Sequence, residues 1–225
     1  LVGYTNAGKS SLMNKLCKVN VLAEDKLFAT LDSTFRTLNP DTKPPMILID
    51  TVGFLSNLPN TLISGFKTTL DSALEADLLI LVVDISHPDY QKHIKVTEEV
   101  LEELEILDKE KIIVFTKKDL VKTPFEEKIK ARNYKDSFII SIHNDQDIVD
   151  LRKYIIDYFL SLQPHFDLFI PFEKGHIHAL LRAKTNIVQE ENHEQGIFYR
   201  VKAPLFILDS LGLDEYKLAP TDKKV

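Results

Sequence analysis

Gly3-Tyr4-Thr5-Asn6-Ala7-Gly8-Lys9-Ser10 fits the pattern G-x-x-x-x-G-K-[ST] at each constrained position. Glycines at 3 and 8 let the backbone turn tightly and bring successive N–H groups onto an anion. A helix starting near Gly8 points its positive dipole end at the same place. Lys9 then reaches the β- and γ-phosphates, and the Ser10 hydroxyl binds Mg²⁺. The alternative is a glycine-containing turn that only caps a helix. Average residue usage gives this four-point match by chance in roughly one chain of this length per hundred or fewer, so nucleotide binding by residues 3–10 is the expectation.

Just outside the loop, Leu12, Met13, Leu16 and Cys17 recur at the spacing of one buried helix face. On the other side only Leu1 and Val2 stand before Gly3, with no initiator Met. We read the chain as cut from a longer protein just inside its central strand. Such a cut predicts a marginally stable chain with a poorly anchored loop.

Downstream, 18–45 is turn-rich until Thr34–Asn39, a short candidate strand. Within this loop lies Phe28-Ala29-Thr30-Leu31-Asp32. A threonine about twenty residues past the loop serine is where nucleotide switches place a second Mg²⁺ ligand, and on spacing alone Thr30 and Thr34 compete for that role. Met46–Asp50 is a short apolar run ending in a carboxylate and continuing Thr51-Val52-Gly53. Asp50 can hold Mg²⁺ through water, and the Gly53 N–H can meet a γ-phosphate. Leu62, Phe66, Leu70 and Ala73 then predict a helix over 58–75.

A buried strand is expected over 78–84 and a helix over 91–107. The acidic run Glu98, Glu99, Glu102, Glu103 and Glu105 reads as that helix's solvated face. The strand 111–115 delivers Thr116-Lys117-Lys118-Asp119 at its C-terminal end, the edge where open α/β sheets bind ligands. A carboxylate at Asp119 can accept from both N1–H and the exocyclic amine of guanine. Adenine presents an acceptor there, and a buried unpaired acceptor costs ~1–3 kcal/mol. Ser137–Ser141 reads as the last strand of this domain and 147–162 as its closing amphipathic helix. Strands over 166–171, 185–192 and 197–203 with a helix over 173–184 make a small α+β domain. The expected domains are 1–162 and 166–213, with a disordered tail over 214–225.

The chain has 225 residues, a formal net charge of -6 and a pI of about 5.7. That balance argues against a broad nucleic-acid-binding face, so DNA is not an expected partner and any RNA contact is local. No apolar run reaches the length of a membrane span. The single cysteine, Cys17, excludes an internal disulfide and points to a reducing, cytoplasmic setting. A monomer is expected.

The set formed by residues 3–10, 28–32 and Asp50-Thr51-Val52-Gly53-Phe54 closely resembles the HflX family of ribosome-associated GTPases. So do Leu58-Pro59, Phe66, Ala76-Asp77-Leu78-Leu79, Val82-Val83-Asp84, Ser86-His87-Pro88, Ile170-Pro171-Phe172 and Glu194-Gln195-Gly196. The resemblance spans nearly the whole chain and lacks the family's N-terminal domain. It implies a Ras-like P-loop GTPase domain, mostly parallel sheet with helices on both faces, followed by a small α+β domain. It also implies association with the large (50S) ribosomal subunit in translation, ribosome rescue or biogenesis. It favours Thr30 over Thr34, giving Ser10 and Thr30 as Mg²⁺ ligands and Lys9, Thr30 and Gly53 as catalytic residues. The nucleotide contacts it implies are residues 3–10, Phe28, Ala29, Thr30, Leu31, Asp32, Asp50, Thr51, Val52, Gly53, Thr116, Lys117, Lys118, Asp119, Ser141, Ile142 and His143.

Three positions depart from common GTPase patterns. Thr116 stands where the family usually has Asn, so the amide that ties the phosphate loop to the base site is expected to be lost. Ser141-Ile142-His143 replaces the usual Ser-Ala. Phe54 replaces the glutamine that orients water in Ras-type enzymes, as in the family, so hydrolysis is expected to be slow alone and ribosome-stimulated. Asn6 matches the position that coordinates K⁺ in related cation-dependent GTPases. The competing reading is a module that binds GTP with negligible hydrolysis.

Overall fold

The computed structural model describes residues 1–17, 34–39, 41–54, 73–121, 131, 133–134 and 136–218. The expected Phe28–Asp32 contacts, Thr30 among them, and most of the helix expected over 58–75 lie outside these residues. The chain divides into two compact units, one of Leu1–Leu38 with Ile47–Arg152, the other of Asn39–Met46 with Lys153–Val225.

The first unit is built on parallel pairing. Strand β3 (Leu79–Asp84) pairs with β4 (Lys111–Thr116) from Leu79↔Lys111 to Asp84↔Thr116, and β4 pairs with β5 (Ser137–Ile139). Leu79 to Val83 are all buried, as expected for a parallel strand covered on both faces. On the other side of β3, the Val2 N–H donates to Ile80 O at 2.9 Å and the Val82 N–H to Val2 O at 2.8 Å. The Met46–Asp50 strand, β2, pairs with β1 (Thr34–Asn39) in a separate two-stranded sheet. Helix α1 (Lys9–Leu16) buries Leu12, Met13 and Leu16.

Helix α2 (Tyr90–Glu103) buries Tyr90, Ile94, Thr97, Val100 and Leu101, at helical spacing. It stops short of the expected residue 107 for a local reason. Glu105 takes a left-handed conformation, φ 59°. Its N–H then meets Glu102 O at 2.9 Å while the Ile106 N–H meets Leu101 O at 2.9 Å. That is the paired closure of a Schellman turn, a place where glycine is usual. Helix α3 (Asp145–Leu162) begins in this unit and passes at Lys153 into the other, and it buries Ile148, Leu151 and Ile155.

The second unit holds an antiparallel sheet in the order β6 (His165–Pro171), β8 (Gly196–Lys202), β7 (Asn186–Asn192), with helices α4 (Gly175–Lys184) and α5 (Leu205–Ser210). Leu168, Ile170, Tyr199 and Val201 alternate inward and pack with Ile177, Leu181, Leu208 and Leu213. Gly196 faces Pro171, and a Cβ there would lie 2.4 Å from Ile170 O, so only glycine fits. Residues 214–218, expected in a disordered tail, instead join this unit. Lys217 bridges Leu168, and the Leu218 N–H donates to Asp167 O at 2.9 Å. Among the described residues no helix is long and apolar enough to cross a membrane.

Candidate nucleotide site

The loop leaves the sheet where β3 ends, and its shape follows from its glycines. Gly3 has φ +147°, and a Cβ there would stand 2.3 Å from Val82 O, a backbone atom that cannot move aside. Gly8, at φ +92°, caps α1, and Asn6 is also left-handed at φ 61°. The loop is therefore wound so that the α1 N-terminus faces the space it encloses.

Lys9 is buried, and its Nζ donates to Gly3 O at 3.1 Å and Tyr4 O at 3.0 Å. Burial pushes its ammonium down to about 8, opposed by the Asp50 carboxylate. Ser10 Oγ donates to Asp50 Oδ2 at 2.6 Å. A hydroxyl and a buried carboxylate in contact beside a phosphate-type loop are hard oxygen donors, so the pair fits Mg²⁺. Thr30, expected to complete that set, lies outside the described residues.

The segment after Asp50 lies directly on the loop. The Phe54 N–H donates to Gly3 O at 3.0 Å, and the Thr5 N–H donates to Phe54 O at 2.8 Å. A Cβ on Gly53 would come within 2.8 Å of Thr5 Cα and 2.9 Å of Lys9 Nζ. Phe54 itself is buried in the core that includes Val2 and Leu81. Val52 and Thr51 are buried, and the Thr51 hydroxyl donates to Leu1 O at 2.8 Å, which gives that side chain a structural task.

On the base side, one expectation needs correcting. The Thr116 hydroxyl donates to Ala7 O at 2.7 Å, with Val83 O at 3.2 Å. The tie between the phosphate loop and the base motif is kept, with a hydroxyl in place of the amide. Lys117, left-handed at φ 59°, pairs with Asp84 at 2.9 Å. Asp119 is exposed, and the Ser141 hydroxyl that donates to it is the leading cause of its lowered pKa. The His143 N–H donates to Ser141 Oγ at 3.2 Å, and the Ser141 N–H to Asp147 Oδ2 at 2.8 Å. Ile142 is half-buried and His143 exposed.

Three participants were not foreseen in the sequence. Asp84 and Asp147 receive Lys117 and Lys118. His93 of α2 stacks flat on Tyr4, with centroids 3.8 Å apart and planes at 5°. Burial, then the neighbouring His87, lowers the His93 pKa. Each pairing joins segments far apart in the chain, and no local pattern announces it.

Residues 1–118 match the family described as 50S ribosome-binding GTPase. The GTPase HflX of Alkalihalophilus pseudofirmus is 39% identical over 202 residues, which cover 90% of this chain and 47% of that protein. The GTPase HflX of Gluconacetobacter diazotrophicus is 38% identical over 203 residues, covering 90% and 45%. The chain thus spans a little under half the length of these relatives. Among solved structures, the SsGBP and GDP complex has a TM-score of 0.53 at 27% identity, covering 70% of this chain and 48% of that one. With the loop, the Asp50–Gly53 segment and the Thr116–Asp119 motif assembled at one sheet edge, the fold and these likenesses lead to one conclusion: the chain belongs to the HflX family of GTPases.

Proposed function

We propose that this chain binds GTP and hydrolyses it to GDP and phosphate in association with the large ribosomal subunit, in the cytoplasm and as a monomer. The observation that carries the reading is the 2.6 Å contact of Ser10 with Asp50 beside buried Lys9, at the end of a loop tied to the base motif through Thr116. The unit of Leu1–Leu38 and Ile47–Arg152 is the nucleotide domain, expected from sequence over 1–162, and 166–213 belong to a second domain whose role lies with the partner.

Lys9 Nζ exchanges the carbonyls of Gly3 and Tyr4 for phosphate oxygens, so its charge is already placed where negative charge develops in the transition state. Loop N–H groups and the Gly53 N–H add donors to the same oxygens. Ser10 and, as the family resemblance implies, Thr30 would hold Mg²⁺, which would supply positive charge to the phosphates. Asp119 accepts from the N1–H and amine of guanine, and Ser141 with His143 closes the pocket around it. Asn6 is exposed at the loop crest, where a K⁺ ion would add charge between the phosphates. The Phe54 ring is buried and cannot orient an attacking water, so the rest of the catalysis comes from the ribosome.

Phe54 also motivates the second reading, a module that acts by nucleotide occupancy with negligible hydrolysis. Single-turnover hydrolysis with and without large ribosomal subunits separates the two. Acceleration by the subunits is expected, and a rate unmoved by them favours the module. Equal rates in K⁺ and Na⁺ at matched ionic strength would remove the role of Asn6.

A further inference from the structure

Resting on the guanine-nucleotide reading above, we propose that Asp147, locked by Lys118, is a positioning residue for base recognition: it ties the Ser141 loop to the turn that carries Asp119 and so holds that carboxylate in the geometry that selects guanine. The work of Lys118 and Asp147 is done on each other and on the backbone of the closing loop.

Ser141 is the hub. Its N–H goes to Asp147 Oδ2 at 2.8 Å, and its Oγ accepts the His143 N–H at 3.2 Å. Asp119 is exposed, so packing does not orient it. Its place follows the turn that carries it, and the Lys118 N–H ties that turn to Ile140, next to Ser141.

Asp147 Oδ2 also takes Lys118 Nζ at 2.5 Å, in a pair whose side chains are mostly shielded from solvent. Lys118 is held at its other end too, with its main-chain N–H on Ile140 O at 3.3 Å. One carboxylate therefore staples the turn that carries Asp119 to the loop that carries Ser141. An acidic residue in a first helical turn commonly does no more than favour the helix dipole, and Asp147 does lie in the first turn of α3. Here its oxygen instead reaches six residues back to Ser141 and across to Lys118, the residue next to the base acceptor. Charge-assisted bonds of this kind are the stronger sort, and removing their acceptor leaves the Ser141 N–H unpaired and Lys118 without its carboxylate beside Asp119.

The test measures dissociation constants of this chain for GDP and for IDP, whose base lacks the exocyclic amine. Variants are Asp147→Ala, Asp147→Asn, Lys118→Met and the double variant Lys118→Met/Asp147→Ala, each with its melting temperature. The expectation is that Asp147→Ala weakens GDP by about tenfold and IDP by much less, so that the GDP preference collapses. Lys118→Met should move the same way, and the double variant should be no worse than Asp147→Ala alone, because one staple is being removed. If Asp147→Ala fails to fold, Asp147→Asn and Lys118→Met carry the same comparison. An unchanged GDP-to-IDP ratio, or equal loss for both nucleotides, overturns the proposal while leaving the nucleotide site intact. An unmodified chain that binds neither nucleotide overturns the reading on which it rests.

Discussion

Thr116 shows how much one hydroxyl decides. Its bond to Ala7 O joins the phosphate loop to the strand that ends in the base motif, inside a buried setting. Thr116→Val keeps the shape and removes the donor, leaving a buried carbonyl unsatisfied at ~1–3 kcal/mol. GDP affinity should fall by about tenfold, and Thr116→Ser should restore most of it, as read by fluorescence titration. Asp119 gives a pH prediction. Its pKa is lowered first by the Ser141 hydroxyl, so the ionised form that accepts guanine persists to lower pH than in an ordinary Asp. The contribution is present above the usual value and lost as pH falls through the lowered one. Ser141→Ala should move the acid limb of GDP binding to higher pH, and an unmoved limb would break the link between the two side chains. Lys9, Ser10, Asp50 and Asp119 were legible in sequence because they sit at fixed spacings inside motifs. Asp84, Asp147 and His93 were not, since each acts on a partner at least a strand away. At Thr116 the amide is lost, as expected, and the hydroxyl keeps the tie because the geometry needs only a donor, which residue type does not reveal.

Elements were read best where burial repeats and worst where a single dihedral ends them. The apolar run of β3 and the alternation in β6 and β8 follow from sheets covered on two faces and on one. Helix α2 was expected to run to 107 because its apolar spacing continues through Leu104, while a glutamate occupies the left-handed position that closes it. An L-residue pays strain in that conformation, so Glu105→Gly should stabilise the chain by about 1 kcal/mol, visible as a higher denaturant midpoint with unchanged slope. The same reasoning explains why residues 214–218 were misplaced. Their sequence is polar, and what holds Leu218 is a main-chain bond to Asp167, which composition does not reveal.

For the chain as a whole, the acidic balance limits how it can meet RNA. With a net charge of -6, the proposed ribosome binding should rest on few phosphate contacts. The log of affinity against log salt should then be shallow, about -3 or less in magnitude, at roughly 0.9 per neutralised phosphate. A slope several times steeper would mean a broad basic face that the sequence does not carry. The antiparallel sheet of the second unit was visible in the sequence as a change from βα alternation, while the membership of Asn39–Met46 and of the chain from Lys153 in that unit was not. Phe54 has a wider meaning than its lost glutamine. Its ring is seated in the core while its peptide groups occupy Gly3 O and the Thr5 N–H. On the proposed function, a phosphate that took the Thr5 N–H would displace the Phe54 carbonyl from it. The ring on that same residue is packed with Val2 and Leu81, so an event at the phosphate would then be felt in the hydrophobic interior without any charged side chain as messenger.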